Sequence, residues 1–416
     1  MTEVVRAEPT VHPAQPLLFP SDVRDGRTRI ADEEQRIAGR VLLVQAETLV
    51  IADAFASLRV RCSTHLEVNE GDWVIVRGQL GSDELSAARL EFHQSAPAPH
   101  GSGEVGRFVF SGVGTHLAAR ARALREVRDY FQDRGFTEVE TPWRVPAPGV
   151  DLHVEAFRAD AGYLITSPEL EMKRLLVGGV PKQFQFARVS RADEAGRLHE
   201  AEFTLLEWYR AFTSYEAVQE DTEAIVRRVA TRIGANGALT TPTGRRVAVE
   251  QTFERITVSE AFRTYAGVTD VSELAQRDEA RYFELLIEQV EPALSRCERP
   301  IFLVEYPISQ AALAQPCAHD ARFAERFELY AGGVELCNGY GELTCPKEQR
   351  RRFEAEQTRR RDGGLQVYPI NERFLSALAE GMPPSAGNAL GFDRLLMLAL
   401  GARRIQDVMA FPRERA

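Results

Sequence analysis

Residues 95–103 read Ser-Ala-Pro-Ala-Pro-His-Gly-Ser-Gly, a stretch with no apolar periodicity that neither a helix nor a strand is expected to cross. The chain therefore divides there. On its N-terminal side RIAGRVLLVQ, TLVIAD, SLRVRC, DWVIVRGQL and LSAARLEFH form short alternating segments between Arg36 and His93, broken by turns such as Asn69-Glu70-Gly71-Asp72. Five strands in about 60 residues predict a small closed barrel of OB type. The expected organisation is a flexible tail over 1–28, an OB-like β-barrel over 29–94, a linker over 95–106 and a larger domain over 107–416.

Composition removes several functions. Lysine occurs only at 173, 182 and 347, never in a GxxxxGK[ST] context, so a P-loop is excluded and any nucleotide is held by another device. A net charge of -10 argues against nonspecific coating of nucleic acid, which needs many Lys/Arg–phosphate contacts. The barrel has few of the residues a single-strand reader needs, and Phe55, Trp73 and Phe92 suit core positions equally well, so a structural or docking module is favoured over an RNA reader. The five cysteines show neither CxxC nor zinc spacing, which fits buried thiols in a reducing compartment. The first 28 residues contain four prolines and no continuous apolar core, so no signal peptide or membrane span is expected and a cytoplasmic protein is.

In the larger domain, apolar residues at 117, 121, 124, 127 and 131 predict a helix over Leu117–Arg134 stopped by Gly135, followed by a strand ending before Pro142. Residues 215–233 and 273–296 read as amphipathic helices and Pro300–Pro307 as a buried strand. Three segments carry chemistry. Phe186–Tyr209 is a hairpin with a long polar loop, whose arginines, His199 and Phe203 suit a polyphosphate and a stacked base. In Phe327–Leu343, acids recur at Glu328, Glu335 and Glu342, suited to magnesium or to an ammonium group. Gly387-Asn-Ala-Leu-Gly-Phe-Asp-Arg394 is a Gly-spaced strand or turn running into an apolar helix, with Arg394 at the start.

In this order the three segments resemble the signature of class II aminoacyl-tRNA synthetases, with Arg134–Pro142 similar to their first motif. Within the class the chain resembles lysyl-tRNA synthetases and, more closely, the lysine ligases that modify elongation factor P. TSPELEMKRLLVGG, EFTLLEWYR, GLQVYPINERFLSAL and GMPPSAGNALGFDRLLMLALGA carry that likeness over about residues 107–416. The resemblance implies an α+β fold, an antiparallel sheet flanked by helices, with ATP and Mg2+ as cofactors and a homodimer. By the same resemblance Arg191 and Arg394 are catalytic, Arg191 holding the α-phosphate. Asp193 reads adenine and His199 contacts phosphate. Phe203 and Arg394 sandwich the adenine, with Glu200, Leu336 and Gly391 beside the nucleotide. Glu328 and Glu335 hold magnesium. Ser167, Glu169, Glu207, Tyr209, Asn338, Glu342 and Ala389 bind the amino acid, Glu169 near the carboxylate and Glu207, Tyr209 and Glu342 at the far ammonium.

Ala389 and Ser167 match the protein ligases, where lysyl-tRNA synthetases have glycine and alanine. The added methyl group is expected to disfavour α-lysine against (R)-β-lysine, which the ligase family prefers. Departures from the family are Asp193, one methylene short, and Glu200, whose charge would approach the ATP phosphates unless it turns away. The arginines at 350–352 and 359–361 are expected on a solvated helix face. The expected activity is formation of an aminoacyl-adenylate from (R)-β-lysine or lysine and its transfer to elongation factor P. Charging of lysine tRNA and a non-catalytic ATP- or lysine-binding paralogue are the alternatives.

Overall fold

The computed structural model describes residues 16–27, 34–98, 103–149, 152, 154–192, 194–234 and 237–415. The chain forms two compact units that divide at Ala118/Ala119 rather than at 106/107. In the first unit, β1 (Leu17–Leu18) and α1 (Pro20–Arg24) precede β2 (Gln35–Gln45), β3 (Thr48–Ala52), β4 (Ser57–Cys62), β5 (Trp73–Leu80) and β6 (Glu84–Gln94). The ring runs β2-β3-β4-β6-β5 and closes through a β2–β5 pairing, a five-stranded OB-like barrel. Alternation builds it: Leu58, Val60 and Cys62 of β4 point inward while Ser57, Arg59 and Arg61 face water.

Two expectations change here. Residues 16–27 are ordered structure rather than tail, because Leu17–Leu18 pairs in parallel with Arg36–Ile37 and Ser21 N donates to Asp53 Oδ2 at 2.9 Å. The tail expected over 1–15 and at 28 lies outside the described residues. Phe55, Trp73 and Phe92 are exposed, not core, since aliphatic residues already fill the barrel.

The helix α2 (Val113–Gln132) leads into the second unit, where it buries Ala119, Ala123, Val127, Tyr130 and Phe131. Ala121, expected inward, is exposed. The following elements are β7 (Thr137–Glu138), α3 (Glu169–Val177), β8 (Lys182–Ser190), β9 (Glu202–Ala211), α4 (Tyr215–Ile233), β10 (Glu254–Thr257), β11 (Ile301–Pro307), β12 (Phe323–Ala331), β13 (Val334–Gly341), α5 (Pro346–Asp362), α6 (Glu372–Gly381), β14 (Ser385–Gly391) and α7 (Phe392–Leu400). Eight strands form one sheet in the order β10-β11-β12-β13-β14-β9-β8-β7, antiparallel except at its two edge pairs. Phe184, Leu206, Trp208 and Leu390 on one face meet Phe131, Val226 and Leu395 in the main core. The β12–β13 hairpin turns through Gly332 and Gly333 at φ 60° and 86°, a left-handed pair that glycine adopts without strain.

The helix expected over 273–296 is broken. Asp278 ends Val271–Arg277 and caps Glu279–Leu285, its carboxylate accepting from Arg281 N at 3.0 Å. The arginines of α5 are not uniformly solvated either. Arg352 is buried and donates to the carbonyls of Ala311 and Ala314 at 2.7 and 2.8 Å. Arg360, also buried, holds Leu152 O, Gln366 O and the Glu155 carboxylate. No described helix is long and apolar enough to cross a membrane.

Candidate active site

The site is laid out by the two-residue period of three adjacent strands. On β9, Phe203, Leu205, Glu207 and Tyr209 share one face, opposite to Leu206 and Trp208 in the core. Pairing places Glu207 against Ala389 and Tyr209 against Gly387. On the other side of β14, Asn338 stands against Ala389 and Tyr340 against Gly387. One row of the floor is therefore Glu207, Ala389, Asn338, and the next Tyr209, Gly387, Tyr340. A Cβ at Gly387 would lie 2.2 Å from Tyr209 Cδ1, so the ring crosses that strand only because residue 387 is glycine.

Above the floor is a cavity that opens to solvent, lined by polar and charged side chains. The structure brings Ser167, Glu169, Arg191, His199, Glu200, Phe203, Glu335, Leu336, Asn338, Ala389, Gly391 and Arg394 to its wall. Glu207, Tyr209 and Glu342 are buried next to it, and Asp193 lies outside the described residues.

At the end expected to hold the nucleotide, Arg191 leaves β8, donates to Thr166 O at 3.3 Å and lies over the Phe203 ring, 5.2 Å from its centroid. The Phe203 ring thus has the Arg191 guanidinium against it. Arg394 donates to Leu198 O and Glu335 O at 3.2 and 3.0 Å, and its Nη2 is 2.6 Å from His199 Nε2. Burial, then the Arg394 charge, holds the His199 imidazole below its ordinary pKa, so it accepts from Arg394 as a neutral ring. Glu200 turns from the cavity centre: its carboxylate accepts from Gln406 Nε2 at 2.6 Å and Arg413 N at 3.2 Å. The C-terminal segment thereby supplies two donors to the carboxylate whose charge the sequence left unpartnered.

Glu335 lines the cavity with its carboxylate 3.7 Å from Arg394 Nη1, and its partial burial, then the neighbouring Glu328, raises its carboxyl pKa. Glu328, expected beside it as a second metal ligand, does not reach the wall. Its carboxylate accepts from Tyr306 and Tyr330 hydroxyls at 2.5 and 2.8 Å and from Arg326 at 2.5 Å.

The end expected to hold the amino acid is an acid cluster. Ser167 Oγ donates to Glu207 at 2.6 Å and accepts from Glu169 N at 3.1 Å, while Tyr209 donates to Glu207 at 3.1 Å. Burial, then the Glu169 charge, pushes the Glu207 carboxyl up to about 8. Lys173, which the sequence offered only as one of three lysines, is buried in this cluster. Its Nζ lies 2.6 Å from Glu169 and 2.5 Å from Glu342. Burial would lower its pKa, but the two carboxylates outweigh that and raise it. Both Glu342 oxygens are buried without hydrogen-bond geometry to any donor, the Lys173 contact being an ion pair by distance alone. Burial raises the Glu342 pKa accordingly. Asp393, which no motif singles out, accepts from Thr204 N at 2.6 Å and pairs with Arg120, anchoring the start of α7 to β9 and α2.

Fold and site together define a class II synthetase domain: an antiparallel sheet, two arginines at one end of the cavity and an acid cluster at the other. The chain belongs to the class II tRNA synthetase family (D, K and N), whose model matches residues 107–415. More particularly, it is 40% identical to the elongation factor P--(R)-beta-lysine ligases of Proteus mirabilis, Salmonella arizonae and Edwardsiella ictaluri. Each match spans 321 residues, 72% of this chain and 96% of the relative. The barrel strands lie outside the residues that the family model matches.

Proposed function

We propose that this chain activates (R)-β-lysine with ATP and transfers it to a lysine side chain of elongation factor P. The observation that carries the reading is the cluster of the buried Glu207 and Glu342 and the half-buried Glu169 around Lys173, its one internal ammonium among the described residues. When all three are ionised, three carboxylates against one cation leave two charges to be met, and a diamino acid supplies two ammonium groups, one of which takes the place of the proton on Glu207. The identity to ligases of that name supports the same reading.

In this reading a carboxylate oxygen of the amino acid attacks the α-phosphorus of ATP; the Pα–O bond to pyrophosphate breaks and an aminoacyl-adenylate remains. The nucleophile is already an anion, so no general base is needed, and Arg191 and Arg394 act by placing and neutralising phosphate charge. His199 steadies Arg394, and Phe203 supplies the ring for adenine. Glu335 fits magnesium, a hard carboxylate lining the cavity whose repulsion with Glu328 a divalent ion would relieve. When bound, magnesium neutralises developing phosphate charge. In the second step the acceptor amine attacks the adenylate carbonyl; an amide forms, AMP leaves with the bond pair and the surplus proton passes to water.

Ala389 sets the distinction between isomers. Its methyl group stands in the floor row between Glu207 and Asn338. Pyrophosphate exchange is expected to favour (R)-β-lysine over α-lysine, and a clear preference for α-lysine would overturn the assignment. Ala389→Gly is expected to improve α-lysine use by about tenfold or more, the scale of one methyl group in a pocket. No gain would place the selectivity elsewhere.

The raised Glu207 carboxyl gives a pH signature. Below about 8 it holds a proton that an incoming ammonium must expel. The amino-acid KM is therefore expected to fall as pH rises towards 8, an effect weakened in Glu207→Gln, where Glu342, also pushed up to about 8 by burial, still titrates. A homodimer belongs to this reading. Trp143, 66% exposed just after the Arg134–Pro142 segment, is apolar surface for a second copy to cover, and light scattering at twice the 46.5 kDa chain mass checks it.

One observation favours the alternative of charging tRNA. Trp73 and Phe92 are exposed on paired strands of the barrel, with Arg40 5.5 Å over the Trp73 ring.

A further inference from the structure

Away from the cavity, the β11–β12 edge gathers three different metal-ligating side chains. Glu305, Cys317 and His319 each present a donor atom, and the three donors lie within 4.8 Å of one another. His319 Nε2 is 3.5 Å from Glu305 Oε2, long for a hydrogen bond. It is close to the edge of a tetrahedron, about 3.3–3.8 Å, that zinc–ligand distances of roughly 2.0–2.3 Å generate.

The backbone arranges these donors in two ways. Glu305 sits at the register shift between Val304 and Tyr306, in a left-handed conformation at φ 60° that a non-glycine residue rarely takes. This bulge takes Glu305 out of the β11 ladder. Cys317 is buried on the returning loop and fixed by its own N–H, which donates to Phe323 O at 2.9 Å, beside the Pro316–Ala324 bridge.

The local charge also asks for a cation. Glu216 and Glu325 act on the same thiol as Glu305. Among the described residues, no arginine or lysine forms an ion pair with Glu216, Glu305 or Glu325. Glu325 instead accepts from Gln315 Nε2 at 2.7 Å. In a chain with 48 arginines among its 51 basic residues, leaving three neighbouring acids without one is unusual for an ordinary surface.

We propose that Glu305, Cys317 and His319 bind one zinc-type divalent ion, with the fourth position open to water. A thiolate, an imidazole and a carboxylate are the donor set of a borderline ion, not of magnesium. The ion would pin the β11 bulge to the loop entering β12. Gln315 N, two residues before Cys317, donates to Gly341 O at 2.8 Å, so the braced loop ends next to Glu342.

The test uses the full-length chain, stripped with a chelator and titrated with Co2+, then Zn2+. The expected result is one thiolate-to-cobalt charge-transfer band saturating at about one equivalent, displaced by Zn2+ and unaffected by Mg2+. Cys317→Ser abolishes the band, and His319→Ala weakens Co2+ binding by at least about tenfold. Pyrophosphate exchange, in which none of the three takes part, reports that each variant is folded. Absence of the band in the wild type, or its persistence unchanged in either variant, overturns the site.

Discussion

Glu207→Gln abolishes most amino-acid activation while leaving ATP binding intact. Removing one charge from a buried ion pair costs about 2–5 kcal/mol, which is roughly a 30- to 4,000-fold fall in kcat/KM for the amino acid. The substitution preserves shape: a glutamine carbonyl still accepts from Ser167 or Tyr209, which bond Glu207 at 2.6 and 3.1 Å. The amide instead faces the substrate ammonium with a donor, leaving Lys173, Glu169 and Glu342 in place. Pyrophosphate exchange at varied amino acid and varied ATP separates the two effects. An unchanged amino-acid KM and kcat would remove Glu207 from the ammonium site.

Arg394→Ala acts at the other end of the cavity. Its guanidinium joins three parts of the site, donating to Leu198 O before β9 and to Glu335 O on β13 and contacting His199. Loss of one preorganised donor to a reacting phosphate costs on the order of 100- to 1,000-fold in kcat. Arg394→Lys is expected to recover little, because one ammonium cannot reproduce three directed N–H groups. A full recovery by lysine would show that charge alone is used there. Circular dichroism of both variants distinguishes lost chemistry from lost fold.

Local periodicity makes much of this legible. Tyr215–Ile233 spans the helix its spacing predicts, and the hairpins around β8–β9 and β12–β13 fall where alternating runs flank polar or Gly-Gly turns. The floor rows follow from period two once the strand order is known, and the order is a long-range property. Lys173 illustrates what stays hidden. With Glu169 four residues earlier it reads as an ordinary helical ion pair, and only β13, bringing Glu342 from 169 positions away, makes it a buried cation in the substrate cluster. The orientation of Glu200 is hidden for the same reason, since Gln406 and Arg413 are supplied by the far end of the chain. Arg352 and Arg360 look like surface residues beside Glu354 and Glu356, yet they hold loop carbonyls. Asp278 is a preferred N-cap residue, but the apolar spacing that continues past it hides the new helix it starts.

The central claim is the pairing of substrate and acceptor. The purified chain is mixed with ATP, Mg2+, (R)-β-lysine, elongation factor P and lysine tRNA, and both acceptors are analysed by mass spectrometry. The account predicts one β-lysyl residue in amide linkage on a lysine of elongation factor P and unmodified tRNA. Aminoacylated tRNA with elongation factor P unchanged would contradict it.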